Sequence, residues 1–304
     1  MTKRIFLTGV TGLAGHDVLA EFVHQGNVTT ALIRKPVQIP GCRTVVGDLS
    51  NPASFAADVE ASDAIVHLAS SRSFGQQEVF GDITGSAGIL DHWKRGTFVS
   101  LSTGSIYAGS QAPLREDMPV GIQSGYALGK LCEELQLRVA TGAGNRGPGI
   151  ALRPGIFLGA GPRRNDRQVL GTLYERCRSG AKFFFRSEEG LESFGASFIG
   201  TQDFSRAVSQ ALMLELPGVY NVAGGFCTWR QLIEVINRSA GTRAEVTVSA
   251  VPPSGPGEFA LPQARRFLDT TKFCQATKFA PQQTLEQLVE DYLRAEQATG
   301  AKRN

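Results

Sequence analysis

Short apolar runs alternate with amphipathic segments through the first half of the chain. The runs predict buried strands, and one apolar face over Gly15–Gln25 predicts a helix directly after the first of them. Because strands and helices alternate, the pattern predicts a doubly wound parallel α/β sheet with helices on both faces. Ligands bind at the carboxyl ends of the strands in such a sheet, so we expect the functional residues there. The predicted strands are Ile5–Thr8, Thr29–Arg34, Thr44–Gly47, Ala64–Leu68, Thr97–Ser102 and Gly149–Arg153.

The pattern changes after Arg153, where irregular loops interrupt shorter elements. Within this second half, Thr228–Ser239 and Thr284–Glu296 have the periodicity of amphipathic helices. The change in character predicts a smaller lobe that follows the main sheet domain.

Composition narrows the class of protein. The 304 residues are 42% hydrophobic and 19% charged, as in an ordinary soluble globular protein, and a net charge of +3 is too small to indicate nucleic-acid binding. Five scattered cysteines predict reduced thiols in a cytoplasmic protein and no metal site. No apolar run approaches the roughly 20 residues that cross a bilayer, and no signal peptide precedes the first strand, so we expect no membrane association.

A glycine-rich turn follows the first predicted strand. Gly9, Gly12 and Gly15 would let the backbone approach a pyrophosphate, with N–H groups near the positive end of the following helix. Their spacing differs from the Gly-x-Gly-x-x-Gly dinucleotide fingerprint, and alone it is weak evidence. The Tyr126-Ala127-Leu128-Gly129-Lys130 segment downstream strengthens it.

Together, the turn and the Tyr-x-x-x-Lys segment resemble the short-chain dehydrogenase/reductase family, specifically its extended branch of nucleotide-sugar epimerases and dehydratases. The resemblance covers nearly the whole chain. It implies an NAD(P)-binding Rossmann domain over residues 1–154, to which the chain returns near 198–223, and a discontinuous substrate-binding lobe mainly over 155–304. Further segments in the family's order are Val66–Ser70, Ser102–Tyr107, Leu152–Gly155 and Val219–Val222.

The resemblance also implies a homodimer formed by two helices of each subunit. Ala87–Trp93 and Leu131–Val139 are apolar enough for that contact. Either segment could equally be covered within one subunit, so the alternatives stay open.

The resemblance assigns the contacts of the cofactor. It implies that Asp48 hydrogen-bonds the adenine amino group, although a turn or helix-capping role for this residue is the alternative. The Leu68–Ser70 segment would pass beneath the adenine ribose. The complete cofactor-binding set is Gly9, Thr11, Gly12, Leu13, Gly15, Arg34, Asp48, Leu49, Leu68, Ala69, Ser70, Tyr126 and Lys130.

The end of the second strand bears on the choice of nicotinamide cofactor. NAD enzymes place a carboxylate there for the ribose 2′-hydroxyl, whereas an arginine suits the 2′-phosphate of NADP. This strand ends in Arg34-Lys35 without a carboxylate. The sequence therefore predicts NADP(H) rather than NAD(H).

The Tyr-x-x-x-Lys spacing places Tyr126 and Lys130 one helical turn apart on one face. A nearby ammonium favours phenolate and lowers the tyrosine pKa, so Tyr126 is the predicted catalytic acid/base. By resemblance, Lys130 also holds the nicotinamide ribose, and a hydroxyl after the fifth strand polarises the substrate oxygen. Alignment of Ile106-Tyr107 with the family's Val-Tyr assigns that hydroxyl to Thr103, with Ser102 as the alternative.

Several positions depart from the nucleotide-sugar pattern. Asp82 replaces the usual Asn and would favour the charged form of Lys130, and Gly155 replaces an Asn that contacts the diphosphate in many relatives. Ser193-Phe194-Gly195 lacks the Arg that such enzymes often carry. The candidate substrate residues are Phe157, Arg163 and Arg265; the neighbouring Arg164 and Arg266 lie on the same loops.

Two catalytic functions fit these residues. The first is an NADP(H)-dependent oxidoreductase that interconverts a secondary alcohol and a ketone on a small organic substrate. The alternative is a nucleotide-sugar epimerase or dehydratase that regenerates its cofactor in each turnover. A third possibility, a non-catalytic dinucleotide-binding sensor, is disfavoured because the chain retains Thr103, Tyr126 and Lys130.

Overall fold

The computed structural model describes residues 2–71, 75–144, 146–160, 169–251 and 254–300. The helices are α1 Gly15–His24, α2 Ala56–Ala61, α3 Gln76–His92, α4 Gly125–Gly142, α5 Val169–Arg178, α6 Glu188–Ser193, α7 Thr201–Ala211, α8 Trp229–Ala240, α9 Thr271–Thr277 and α10 Leu285–Gly300. The strands are β1 Arg4–Thr8, β2 Val28–Ile33, β3 Arg43–Val46, β4 Ala64–His67, β5 Thr97–Leu101, β6 Gly149–Pro154, β7 Ile156–Leu158, β8 Lys182–Phe185, β9 Gly195–Gly200, β10 Gly218–Val222, β11 Gly225–Thr228, β12 Glu245–Val248, β13 Glu258–Ala260 and β14 Arg265–Arg266.

A seven-stranded parallel sheet forms the centre of the molecule, in the order β10-β6-β5-β4-β1-β2-β3. The strand order reverses between β1 and β4, which creates the crevice where ligands bind in doubly wound folds. The predicted α/β fold class is thus confirmed, and the six predicted strands agree with β1–β6 to within one residue at each end.

Helices cover both faces of this sheet. Successive side chains of each strand point to opposite faces, so each strand packs on both sides. On β1, Ile5 and Leu7 pack with residues of α1 and α7 on one face. Phe6 packs with residues of α2, α3 and α4 on the other face, among them Leu90 and Leu137. The two layers fix the strand ends, and therefore the loops that carry the candidate site.

Two smaller sheets and several helices build the second lobe. In one sheet β9 pairs antiparallel with β11 and parallel with β7 and β14; in the other β8 pairs parallel with β12 and β13. A capping box of Thr228 and Gln231 begins α8, and Gly241 ends it with a φ of +68°. The predicted helices over 228–239 and 284–296 are confirmed as α8 and α10.

The chain passes between the central sheet and the smaller sheets more than once. After β6 it forms β7 and later β9, which both belong to a smaller sheet. It then forms α7, which packs on α1, and β10, which joins the edge of the central sheet beside β6. Within the described residues, no helix is both long and apolar enough to span a bilayer.

Candidate active site

Two cavities lie along the carboxyl ends of the central strands. The larger, of about 340 Å³, is lined from β1 and β2, from the loops that follow β1, β2, β3 and β4, and from α3. The second, of about 250 Å³, lies between the main sheet and the second lobe. Gly12 lines the first cavity and the next residue, Leu13, lines the second. Predicted residues that line the larger cavity are Gly9, Thr11, Gly12, Arg34, Asp48, Leu49, Leu68, Ala69 and Ser70.

The glycine-rich turn brings the backbone closer than a side chain would allow. Gly9 has a φ of +75°, and a Cβ there would lie 2.6 Å from the backbone nitrogen of Ala69. A Cβ on Gly15 would lie 2.1 Å from the carbonyl oxygen of Gly9. Gly15 lines neither of these two cavities, so its role is to let α1 pack against the turn.

Buried polar groups hold the ends of β1 and β4 together. Thr8 Oγ1 lies 2.7 Å from His67 Nδ1 and accepts a hydrogen bond from the backbone N–H of Ala69. His67 Nε2 lies 2.9 Å from Ser86 Oγ on α3. Burial, with a smaller contribution from the charge of Lys130, lowers the pKa of His67 to about 3. The imidazole is therefore neutral and fixes the loop that borders the larger cavity.

The outer end of the larger cavity carries Arg34 and Asp48. The Arg34 side chain is exposed at the end of β2. Asp48 Oδ1 accepts hydrogen bonds from the backbone N–H and the hydroxyl of Ser50, which lower the pKa of the Asp48 carboxyl. Asp48 therefore shapes its own turn while it faces the cavity, so both roles considered for it are compatible with its position.

Tyr126 and Thr103 meet at the smaller cavity. Ser124 caps α4 by accepting a hydrogen bond from the N–H of Ala127, and this places Tyr126 in the first turn of the helix. The Tyr126 side chain is hydrogen-bonded to that of Thr103. Burial raises the pKa of Tyr126, against an opposing effect of the Lys130 charge. The pair can therefore present both a hydroxyl donor and a proton to a substrate oxygen.

Ser102, the alternative hydroxyl, lies within a different set of contacts. Its Oγ donates a hydrogen bond to Glu134 on α4, and Arg153 of β6 binds the same carboxylate in a bidentate pair at 2.8 and 2.7 Å. Arg153 also donates to the hydroxyl of Tyr107, which contacts Asn221 on β10. All five side chains are buried. This network ties α4, β6 and β10 together and engages Ser102, whereas Thr103 contacts Tyr126.

Lys130 lies behind Tyr126 on α4 and is only 2% exposed. Its ammonium donates to Glu133 Oε2 at 3.0 Å. Burial alone would lower the pKa of Lys130, but the charges of Glu133, Tyr126 and Asp82 and the hydrogen bond to Glu133 together outweigh that effect, and the pKa is raised. The ammonium form of Lys130 is consequently favoured despite its burial.

The smaller cavity has a mostly apolar lining. Among the described residues around it, Arg266 is the only charged side chain, and its Nη2 donates to Gln123 Oε1 at 3.2 Å. A Cβ on Gly155 would lie 2.5 Å from the backbone oxygen of Ser197 in β9, so the chain has no room for an Asn there. The apolar residues of the lining are Leu13, Leu101, Pro154, Ile156, Phe157, Val169, Ala196 and Leu268.

The predicted substrate residues lie in different places. Phe157 lines the smaller cavity and packs edge-on against Phe204. Arg265 does not line it; its guanidinium lies over the rings of Phe226 and Phe267. Arg163, like Arg164, lies outside the described residues.

Sequence reasoning did not single out Glu133, although a signal was present. Glu133 lies three residues after Lys130, and this spacing places the two side chains on one face of a helix. The network partners Glu134, Tyr107 and Asn221 gave no such signal, because they come from distant parts of the chain.

Comparison with known proteins identifies the family. The sequence profile of the NAD dependent epimerase/dehydratase family matches residues 5–223, which is more than half of the chain. The chain belongs to this family and is an NAD(P)-dependent enzyme of the oxidoreductase/epimerase type. The resemblance noted in the sequence is thereby confirmed.

The proteins that are similar to this chain include two curated enzymes and one solved structure. GDP-6-deoxy-D-mannose reductase of Pseudomonas aeruginosa is 27% identical over 277 residues, which are 81% of this chain and 83% of that protein. 2-Alkyl-3-oxoalkanoate reductase of Stenotrophomonas maltophilia is 28% identical over 193 residues, 58% of this chain and 56% of that protein. UDP-glucose-4-epimerase from the same bacterial species, with bound NAD and formylated UDP-arabinopyranose, aligns with a TM-score of 0.82 over 99% of both chains. At 17% identity, that alignment shows the fold alone.

Proposed function

We propose that this enzyme is an NADP(H)-dependent oxidoreductase that interconverts a secondary alcohol and a ketone on a small organic substrate. The observation that supports the proposal most strongly is the smaller cavity. It is lined by the hydrogen-bonded side chains of Tyr126 and Thr103 and otherwise mostly by apolar residues. Such a lining suits a substrate with one reacting oxygen and an apolar remainder. The described part of the lining offers one guanidinium, that of Arg266, to a diphosphate, which needs several cationic donors.

The larger cavity fits a dinucleotide. Gly9 and Gly12 of the turn before α1 line it, and the N-terminus of a helix is a favourable place for a pyrophosphate. Arg34 at the end of β2, without a carboxylate on that strand end, supports NADP(H) over NAD(H). Asp48 and the Leu68–Ser70 loop complete the proposed cofactor contacts.

The proposed roles follow from these positions. Bound nicotinamide supplies or accepts the hydride. In reduction, the Oη–H bond of Tyr126 breaks as a new O–H bond forms on the substrate carbonyl oxygen, and oxidation reverses this transfer. Thr103 donates a hydrogen bond to the same oxygen, and the charge of Lys130 stabilises the phenolate that Tyr126 leaves behind.

One further observation supports net reduction over epimerisation, and a second bears on whether the substrate carries a diphosphate. Both curated relatives described above are named as reductases. The backbone of β9 excludes a side chain at Gly155, the position where many nucleotide-sugar enzymes carry an Asn that contacts the diphosphate.

A nucleotide-sugar epimerase or dehydratase is the alternative proposal. Arg266 supports it, because a guanidinium in the cavity lining can pair with a phosphate in bidentate fashion. The non-catalytic sensor is the weakest alternative, since Thr103, Tyr126 and Lys130 lie together at one site.

We further propose that the enzyme is a cytoplasmic homodimer. Of the predicted contact segments, Ala87–Trp93 contributes Ile89, Leu90 and Trp93 to the core of its own subunit. On α4, however, Leu135 and Val139 are exposed, at 42% and 69%. Exposed apolar residues on one helix face suit a second copy of the helix. The cysteines are free thiols, which suits a reducing compartment.

A thermal-shift experiment tests the proposed substrate and cofactor. NADPH is expected to raise the melting temperature more than NADH; a ligand at a hundred times its dissociation constant adds about 2.7 kcal/mol. With NADP+ present, UDP, GDP, TDP, CDP and ADP are each expected to add no further stabilisation. Selective stabilisation by one of these nucleoside diphosphates would favour the nucleotide-sugar alternative.

A further inference from the structure

Lys130 and Glu133 form an ion pair in the interior. Both residues lie on α4, they are 2% and 3% exposed, and Lys130 Nζ lies 3.0 Å from Glu133 Oε2. An isolated buried ammonium is costly, so the carboxylate allows Lys130 to stay charged at this depth. The same carboxylate also cancels part of the field that Lys130 exerts on its surroundings.

A second carboxylate approaches from α3. Asp82 accepts hydrogen bonds from the backbone N–H of Ser71 at 2.8 Å and from the hydroxyl of Ser70 at 3.0 Å. These contacts hold its carboxylate in one orientation. Asp82, Glu133, Lys130 and Tyr126 line one void of about 10 Å³. Two carboxyl groups therefore face one ammonium directly beside the predicted acid/base.

We propose that Glu133 and Asp82 are positioning residues that offset the charge of Lys130 and thereby keep Tyr126 in the phenol form that donates a proton to a ketone. The direction of the reaction rests on the proposed function. The electrostatic part of the proposal concerns only the side chains of Glu133, Asp82, Lys130 and Tyr126. It can therefore be tested without a substrate.

The charges around the void support this arrangement. Burial raises the pKa of Tyr126, Lys130 lowers it, and Glu133 and Asp82 each raise it again. Burial also raises the pKa of Glu133 to about 7, so this carboxyl ionises around neutral pH. As the pH rises, its negative charge therefore cancels more of the positive charge of Lys130.

Two other titratable groups adjoin the cluster. Glu134 on α4 is paired with Arg153, so the charge of this carboxylate is balanced within its own network. His67 on β4 has a pKa of about 3 and stays neutral over the working range. Glu133 is therefore the group whose charge changes around neutral pH beside Lys130.

The test is a spectrophotometric titration of Tyr126, without substrate. The difference in tyrosinate absorbance between the wild type and Tyr126→Phe reports this one phenol among five tyrosines. We expect its midpoint in the wild type to lie above the ordinary value of about 10. In Glu133→Gln and in Asp82→Asn, the midpoint should fall by about one pH unit. Each variant is titrated as a difference against its own Tyr126→Phe double mutant.

Matched variants separate charge from structure. Glu133→Asp retains the carboxylate and should keep the wild-type midpoint, as should Glu175→Gln, which neutralises an exposed carboxylate on α5. Circular dichroism of each variant checks that it is folded. If Glu133→Gln does not fold, Asp82→Asn provides the test, because it also removes one negative charge and keeps the shape of the side chain.

Unchanged midpoints in folded Glu133→Gln and Asp82→Asn would overturn the proposal, as would an upward shift. A second readout uses the enzyme: in Glu133→Gln, the pH at which kcat for ketone reduction falls on the alkaline side should be about one unit lower than in the wild type, while KM stays within about twofold. If the titration shifts as expected but no ketone is reduced by the wild type, the proposed function fails while the electrostatic arrangement stands.

Discussion

Tyr126 and Glu133 lie on the same helix, and burial shifts the pKa of both side chains in the same direction. Burial raises the pKa of the phenol and keeps its proton in place, and it also raises the pKa of the carboxyl, to about 7. Lys130, between them, opposes both changes because a positive charge favours phenolate and carboxylate. The protonation states of Tyr126, Lys130 and Glu133 therefore depend on one another, because the three side chains lie close together in the interior.

Glu133 makes the stability of the fold depend on pH. Its carboxyl has an ordinary pKa of 4.5 when unfolded and about 7 when folded, so between these values only the folded protein binds the proton. The contribution to stability is complete below pH 4.5 and is lost as the pH rises through 7. As the pH rises from about 5 to about 8, the free energy of unfolding of the wild type should fall by about 1–3 kcal/mol more than that of Glu133→Gln. Urea unfolding at each pH measures both. The same loss in both proteins would contradict this prediction.

At the scale of elements, the turn between β1 and α1 depends on glycine. The Gly15→Ala substitution should cost roughly 1–3 kcal/mol of unfolding free energy and weaken NADPH binding, because its Cβ collides with the carbonyl oxygen of Gly9. Gly142→Ala, at the end of α4 with open space around it, is the matched control. Calorimetric unfolding and NADPH titration measure both effects; equal behaviour of the two variants would argue against close packing of the turn.

The Glu134–Arg153 pair joins α4 to β6 and is buried on both sides. Arg153→Met should destabilise the fold by about 3–5 kcal/mol, since it leaves a buried carboxylate without its partner. Arg178→Met removes an exposed ion pair with Glu175 and should change stability by less than about 0.5 kcal/mol. Urea unfolding compares the two, and a small effect of Arg153→Met would show that this network does not hold α4 in place.

The sequence could predict the central strands because most of them are short, largely apolar runs bounded by polar turns, as in β1 and β4. It could not determine which of two adjacent arginines faces the cavity. Neighbouring residues of a strand point to opposite sides, so the answer depends on the pairing of Arg265 with Gly195 and of Arg266 with Ala196. That register is a property of the folded second lobe, and no local pattern encodes it.

The choice between Thr103 and Ser102 as the predicted catalytic hydroxyl also depends on contacts that form only in the folded protein. Both follow β5, and their order along the chain does not say which one meets Tyr126. The distinction arises from Glu134 on α4, which accepts the hydrogen bond of Ser102. Long-range contacts of this kind are where the structure adds most to the sequence.

For the whole molecule, the exposed face of α4 leads to a prediction about assembly. Val139→Glu should convert the proposed homodimer to a monomer, because it places a charge in an apolar contact between copies. Met213→Glu, which changes an equally exposed apolar residue just after α7, should leave the assembly unchanged. Sedimentation velocity distinguishes the two masses, and a wild type that sediments as a monomer would rule out the dimer.

The central claim is that the enzyme performs net, Tyr126-dependent reduction of a ketone with NADPH. The most direct measurement is the loss of NADPH absorbance with a panel of small ketones, using wild type and Tyr126→Phe. We expect the wild type to consume NADPH with at least one ketone, and Tyr126→Phe to bind NADPH normally while its rate falls by roughly 10²–10⁴-fold. Unchanged turnover in Tyr126→Phe would contradict the account, as would conversion of a nucleotide sugar without net consumption of NADPH.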